Sequence, residues 1–226
     1  MRDLLIITPT RQRQANAQRL IDAVDATATA QTDLILAVDD DDIGSYAGLR
    51  AGRHMVACGP RMTCIQWTNL LAKDYGPQYR TLASLGDDHV PETLGWDAAL
   101  LGAIDAMGGT GIVYGNDTLQ GPNLPTAPVV SSGIPAALGW FMYPDLIHFF
   151  ADNVWKDLGE RAGCLRYLPN VIIRHHHFMF GTAPADATYA EAAPAWAADE
   201  AAYAAWCRGA GPGDVEKVRK LCAGAS

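Results

Sequence analysis

Apolar positions along this chain fall into two patterns, short unbroken runs and longer stretches with a helical repeat. "DLLIIT" (residues 3–8) is unbroken and stopped by Pro9, the pattern of a strand buried on both faces. "RQRQANAQRLIDAVDATA" (11–28) then brings Leu20, Ile21 and Val24 onto one side of a helix, with Thr10 expected as its N-cap. "TDLILAVDD" (32–40) predicts a second strand, which runs out into four acids, Asp39 to Asp42. A helix over "MTCIQWTNLLAKDY" (62–75), a strand over "YRTLASL" (79–85) and an amphipathic helix over "TLGWDAALLGAIDAMGG" (93–109) follow, the last stopped by Gly108 and Gly109. "GIVYGND" (111–117) predicts a fourth strand, and the Pro- and Gly-rich residues 121–135 an irregular loop. "DNVWKDLGERAG" (152–163) reads as a short helix and "CLRYLPNVIIRHHHF" (164–178) as one or two strands. The Ala-rich tail is helical from about residue 194, with Trp196, Tyr203 and Trp206 spaced to share a face. No internal repeat and no long linker divides the chain, so a single domain over 1–226 is expected.

Alternating strands and helices imply an α/β sheet with helices on its faces. Ligands of such sheets bind outside the carboxyl ends of the strands. Thr8–Arg11, Asp39–Asp42, Asp87–His89 and Gly115–Asp117 all follow predicted strands and should converge on one edge. Adjacent acids such as Asp87 and Asp88 repel, most of all where water is scarce, and a cation between them would relieve this. Carboxylates with an imidazole suit Mg²⁺ or Mn²⁺ better than a closed zinc site. "RHHH" (174–177) supplies imidazoles after a strand, and alternation puts His175 and His177 on one face with His176 on the other. A metal between Asp88 and His177 or His175 is the resulting expectation.

Composition narrows the classes. The 226 residues are 49% hydrophobic, enough for a sizeable core, and carry a net charge of −8 with a pI near 5.1. That balance argues against a broad electrostatic footprint on nucleic acid and leaves room for a locally basic site taking a small anion. No segment reaches the roughly 18 uninterrupted apolar residues of a membrane span. The best stretch, "IPAALGWFMYPDLIHFF", is broken by Pro144, Asp145 and His148. The N-terminal apolar run is too short for a signal peptide. Cys58, Cys64, Cys164, Cys207 and Cys222 form no CxxC pair, and their odd count reads as reduced thiols in a cytoplasmic protein.

The order of "IITPTRQR", "LAVDDDD", "ASLGDDHVPETLGWD", "FADNVWKDLGERAG" and "VIIRHHH" resembles nucleotide-sugar glycosyltransferases of the GT-A fold, close to family 2, over roughly residues 3–178. The resemblance implies a Rossmann-like mixed central sheet with helices on both faces and a helical C-terminal tail. It assigns residues 1–117 to a nucleotide-binding half, 118–180 to an acceptor and metal half, and 181–226 to the tail. Thr8, Pro9, Thr10 and Arg11 match the family's nucleotide-binding turn. Asp39 or Asp40 matches the aspartate that contacts the base, and Asn69 an asparagine common in the helix before the DxD strand. "GDDH" matches the DxD-type motif, with Asp87 on the ribose and phosphate side and Asp88 on the metal. A histidine of "RHHH" completes the metal site. Asp152 matches the catalytic base of inverting members, although Ala151 stands where the family's motif has glutamate, and the frequent QxxRW motif has no counterpart.

The implied activity is transfer of a sugar from a nucleoside diphosphate, UDP first and GDP second, to an acceptor hydroxyl, with Mn²⁺ or Mg²⁺. Asp152 would take the acceptor's proton, and Arg11 and Arg61 would reach the diphosphate as paired donors. Trp140, Tyr143 and Trp155 offer faces for a sugar. The acceptor class stays open among saccharide, protein, lipid and modified base. Plainer readings stand beside these. Asp87–Asp88 and Asp39–Asp42 fit solvated turns, Arg11 and Arg61 surface charges, and Asp152 the cap of the helix at 153–162. Trp155, Trp196 and Trp206 fit as packing residues. A sugar-phosphate nucleotidyltransferase is a rival, disfavoured because "TPTRQRQAN" lacks that class's glycine-rich loop. A non-catalytic nucleotide- or partner-binding module is another, favoured by Ala151.

Overall fold

The computed structural model describes residues 1–184 and 186–224. In chain order the elements are β1 (Arg2–Pro9), α1 (Gln14–Thr27), β2 (Thr32–Asp39), β3 (His54–Gly59), α2 (Cys64–Tyr75), β4 (Tyr79–Ser84), β5 (His89–Pro91) and α3 (Trp96–Asp105). There follow β6 (Ile112–Asn116), β7 (Val129–Ser131), α4 (Gly133–Leu138), α5 (Ala151–Ala162), β8 (Leu165–His175), α6 (Ala187–Ala192), α7 (Trp196–Arg208) and α8 (Gly211–Gly224).

One sheet runs through both halves, in the order β3-β2-β1-β4-β7-β6-β8-β5. The strands β3, β2, β1 and β4 are parallel. The short β7 runs antiparallel to β4 and β6, β8 returns parallel to β6, and β5 closes the far edge antiparallel to β8. The unbroken apolar runs are unbroken because both faces are covered. Leu5 and Ile7 of β1 pack with α2, α4, α5 and α8, while Leu4 and Ile6 pack under α1 and α3. All four are fully buried, each worth about 1.5–3 kcal/mol relative to exposure.

The second half departs from the expected elements. Residues 121–135, expected as a loop, hold β7 and the start of α4. β7 is too short for a periodic signal, yet it bridges β4 and β6 and reverses the sheet's direction there. Residues 165–175 form one long strand, β8, with a register break against β6 at Gly115 and Asn116. Gly115 is required at that break, because a Cβ would lie 2.4 Å from the carbonyl oxygen of Val171. The edge strand β3 also carries no alternating signal, since Met55 and Val56 are both exposed.

Helix α1 opens at Gln14, later than expected, and its N-cap position is Arg13, with no side-chain cap. Thr10 therefore does not cap it. Its hydroxyl donates instead to Asp87 across the sheet edge, at 2.6 Å. Helix α2 has a true capping box: Thr63 Oγ1 accepts from Gln66 N–H and Gln66 Oε1 from Thr63 N–H.

Candidate functional site

The carboxyl ends of β1, β2 and β4 open into one cavity of about 800 Å³, within the usual size range for ligand sites. Pro9, Thr10, Arg11, Asp39, Arg61, Asp87, Asp88, Asp152, His175 and His177 all line it. Three other expected residues do not. Thr8 is fully buried in β1. Asp40 is exposed beyond β2. Asn69 is occupied elsewhere: its Oδ1 accepts from Phe141 N–H and Met142 N–H, and its Nδ2 donates to the Met142 carbonyl. That side chain is a staple between α2 and the loop after α4.

The acid pair resolves into unequal partners. Asp87 Oδ2 accepts from Thr10, and Arg13 Nη1 lies 3.2 Å from Oδ1. Burial pushes its carboxyl up to about 6, against the pull of Arg13 and with the push of Asp88. Asp88 keeps its charge. Burial opposes ionisation there too, but His175 and His89 beside it hold its carboxyl well below the usual range. The neighbouring like charge thus falls on Asp87, as expected when two acids share a dry site.

The strand β5 assembles the rest. Its register pairs His89 with His175, so the two imidazoles stack with centroids 4.1 Å apart. Asp88 Oδ1 lies 3.3 Å from His89 Nδ1 and 3.5 Å from His175 Nε2. Asp88, His89 and His175 each offer one ligand atom, all within 4.8 Å of one another. Gly86 makes this fold-back possible, since a Cβ there would lie 2.5 Å from Asp88 Oδ1.

Two observations show that the group fits a divalent cation. His89 Nδ1 faces a donor, the Gly86 N–H at 3.1 Å, and an acceptor, Asp88 Oδ1. One ring nitrogen carries either a hydrogen or a lone pair, so no tautomer serves both. His89 Nε2 is buried with no hydrogen-bond partner among the described residues. Burial, then His89, also push His175 below the ordinary histidine range, which favours the neutral, ligating imidazole.

His177 lines the same cavity without joining this group. Its ring meets that of His175 edge-on at 5.2 Å, and its Nδ1 accepts from Met179 N–H. His176 points elsewhere, and its N–H donates to the Asp88 carbonyl. The imidazole that sequence reasoning missed is His89, which stands inside the quoted motif but reaches the site only through the three-residue β5.

Asp39 ends β2 with both carboxylate oxygens engaged and one acceptor site open: Oδ1 takes Trp67 Nε1–H at 2.8 Å and Met62 N–H, and Oδ2 takes Arg11. Arg11 also forms a two-pronged pair with Asp41. Asp152 lies in the first turn of α5 but is not its cap, a position held by Phe150. Among the described residues its side chain's only hydrogen bond comes from the adjacent Asn153 N–H, and burial raises its carboxyl. It is therefore a cavity-facing acid with spare acceptor capacity.

The far wall is apolar: Ile147, Phe149, Phe150, Met179, Phe180 and Trp196. Trp196 is half exposed and lies 5.0 Å from both Phe149 and Phe150. Of the expected aromatic faces, Trp155 borders the cavity, while Trp140 and Tyr143 do not line it. Trp155 is core, and Trp140 and Tyr143 pack on Trp155 and Trp206.

This mixed eight-stranded sheet, with helices on both faces and a helical tail, is the GT-A fold of nucleotide-sugar glycosyltransferases. No protein-family model matches the chain, and no curated protein matches its sequence. Solved structures do match in shape. The mannosyltransferase PcManGT from Pyrobaculum calidifontis, in complex with GDP-Man and Mn²⁺, superposes with a TM-score of 0.58 at 11% identity, covering 100% of this chain and 77% of its own. S. aureus TarS 1–349 with UDP gives 0.56 at 10% identity over 76% of this chain, which spans 59% of that fragment. The catalytic domain of Drosophila β1,4-galactosyltransferase 7, in complex with xylobiose, gives 0.53 at 12% identity, covering 78% of this chain and 71% of its own. Identities this low establish the fold alone.

Proposed function

We propose that this protein is a metal-dependent, inverting glycosyltransferase using a nucleoside-diphosphate sugar, UDP first and GDP second. The observation that carries the reading is the meeting of Asp88 and His175 with Arg11, Arg13 and Arg61 around one cavity, with the buried His89 beside Asp88. Carboxylate and imidazoles suit a divalent cation, and guanidinium groups suit phosphate oxygens. The shared fold with proteins solved with UDP and GDP-Man supports a nucleotide donor.

Asp88, His89 and His175 would hold Mn²⁺ or Mg²⁺, which when bound neutralises charge on a departing diphosphate. Asp39, Thr10 and Asp87 fix the nucleotide end, and Arg11 and Arg61 orient the phosphates. Asp152, with free acceptor capacity and a raised affinity for protons, takes the proton from the acceptor hydroxyl as it attacks the anomeric carbon. The apolar wall from Ile147 to Trp196 bounds the acceptor side and excludes water from the reacting atoms.

The test is the melting temperature with UDP or GDP, with and without Mn²⁺. Nucleotide at about a hundred times its Kd adds about 2.7 kcal/mol, a rise on the order of 5–10 °C for a chain of this size. The rise is expected only with the divalent ion present. No shift with either nucleotide and any divalent ion would overturn the donor site.

A further inference from the structure

One short segment of the tail occupies the charged end of the cavity. Asp186 caps α6 and accepts from Arg13 at two atoms, Nε at 2.7 Å and Nη2 at 2.8 Å. Tyr189 donates to Asp88 Oδ2 at 3.0 Å, and its ring lies 4.3 Å from the Arg13 guanidinium. Glu191 accepts from Arg61 at 2.8 Å and stands 3.8 Å from Arg11 Nε. Thr188 Oγ1 donates to the Arg11 carbonyl.

These contacts fall on the groups assigned above to the donor. Two carboxylates sit on three arginines in the manner of phosphate oxygens, and a hydroxyl holds the carboxylate that would bind the cation. The substitution is imperfect, since Arg11 Nε is buried without a hydrogen-bond partner among the described residues and Glu191 stops short of it. The segment is also weakly anchored. No residue of α6 is fully buried, and Gly181 takes a left-handed φ of +69° just upstream. The Glu191–Arg61 pair is exposed on both sides, and such pairs contribute little to holding a segment in place.

We propose that residues 186–192 are an internal competitor of the donor, with Asp186 and Glu191 standing in for its phosphates and Tyr189 occupying Asp88, so that donor binding requires their release. The proposal rests on the donor reading above. Its rival is a clamp that closes over bound nucleotide, and the two differ in sign.

Calorimetric titration of UDP and GDP in Mn²⁺ onto the full chain tests it, with the variants Glu191→Gln and Asp186→Asn/Glu191→Gln. Asparagine preserves the helix cap. Competition predicts that Glu191→Gln tightens nucleotide binding by about threefold and the double variant by about tenfold, the scale of partly exposed ion pairs. It also predicts faster amide hydrogen exchange over residues 187–192 when the wild type is saturated with nucleotide. Unchanged or weaker binding in the variants, or slower exchange on saturation, overturns the proposal and leaves the donor site standing. If neither wild type nor variants bind UDP, GDP or inorganic pyrophosphate, the donor site falls and the competitor with it.

Discussion

Two regions of this molecule bury aspartates, and they use them differently. In the loop-built half, Asp117 accepts from Leu119, Gln120 and Gly121 N–H and from Thr126 Oγ1. Asp199, reaching from α7, accepts from Ile147, His148 and Phe149 N–H at 2.7–2.8 Å. At the sheet edge, Asp87 and Asp88 meet side chains instead: Thr10, Arg13, Tyr189 and two histidines. Backbone donors are fixed by the fold, so a carboxylate saturated by them is a structural part. Side-chain partners can turn away, so a carboxylate held by them is free to exchange those partners for a ligand.

Asp152 belongs to neither set, with one weak local bond and a cavity before it. It is where the comparison predicts the largest effect. Asp152→Asn should lower sugar transfer by about 10²–10⁴-fold, the usual contribution of a positioned general base. Nucleotide affinity should not change, because among the described residues Asp152 hydrogen-bonds only the adjacent Asn153 N–H and none of Thr10, Arg11, Asp39, Arg61 or Asp87. Transfer retained in the variant, measured by release of nucleoside diphosphate with acceptor present, would remove it as the base.

The contrast sharpens in a matched pair. Asp88→Asn should cost at least about 100-fold in Mn²⁺ affinity, since even the partners that orient a metal's ligands are worth about 10–100-fold. Without metal its melting temperature should hold within a degree or two, since the lost contacts are offset by relief of Asp87. Asp199→Asn should do the reverse. The amide offers one acceptor oxygen to three N–H groups, and unsatisfied buried donors cost about 1–3 kcal/mol, a drop on the order of 3–10 °C. Its Mn²⁺ affinity, read by calorimetry, should match wild type. Equal effects of the two substitutions on both measurements would erase the distinction.

The same contrast explains what the sequence made readable. Strands buried on both faces and one-sided helices carry strong periodic signals, so β1, β2, β4, β6 and helices α1, α2, α3 and α5 stand out within a few residues. Strand exits then bring Thr10, Arg11, Asp39, Asp87 and Asp88 to one rim. Elements too short for a period were silent: β5, which carries His89, and β7. Asp117, Asp199 and Asn69 hold loops through single side chains, and nothing in their spacing marks them. Arg13, two positions beyond Arg11, and Asp186, Tyr189 and Glu191 of the segment over it gain meaning only from contacts across more than seventy residues.

The smallest effect comes from pH. His148, His175 and His177 are all pushed below the ordinary histidine range, chiefly by burial. Each stays neutral in the fold and charges more readily when unfolded. Their contribution is fully present above about pH 6.5 and is lost as pH falls below it. Asp87 has the opposite sign. Its folded carboxyl sits at about 6, above the unfolded value, so between about 4 and 6 the folded state holds the extra proton and gains stability on acidification. In the wild type the two trends oppose each other over that window, and the melting temperature without metal should decline only gently from pH 7 to 5. Asp87→Asn removes one compensating acid and leaves the histidines with Asp152, whose carboxyl is also raised, so its decline should be steeper by on the order of 2 °C. A variant profile parallel to wild type across pH 7 to 5 would mean that Asp87 does not hold that proton and that the acid pair shares its charge evenly.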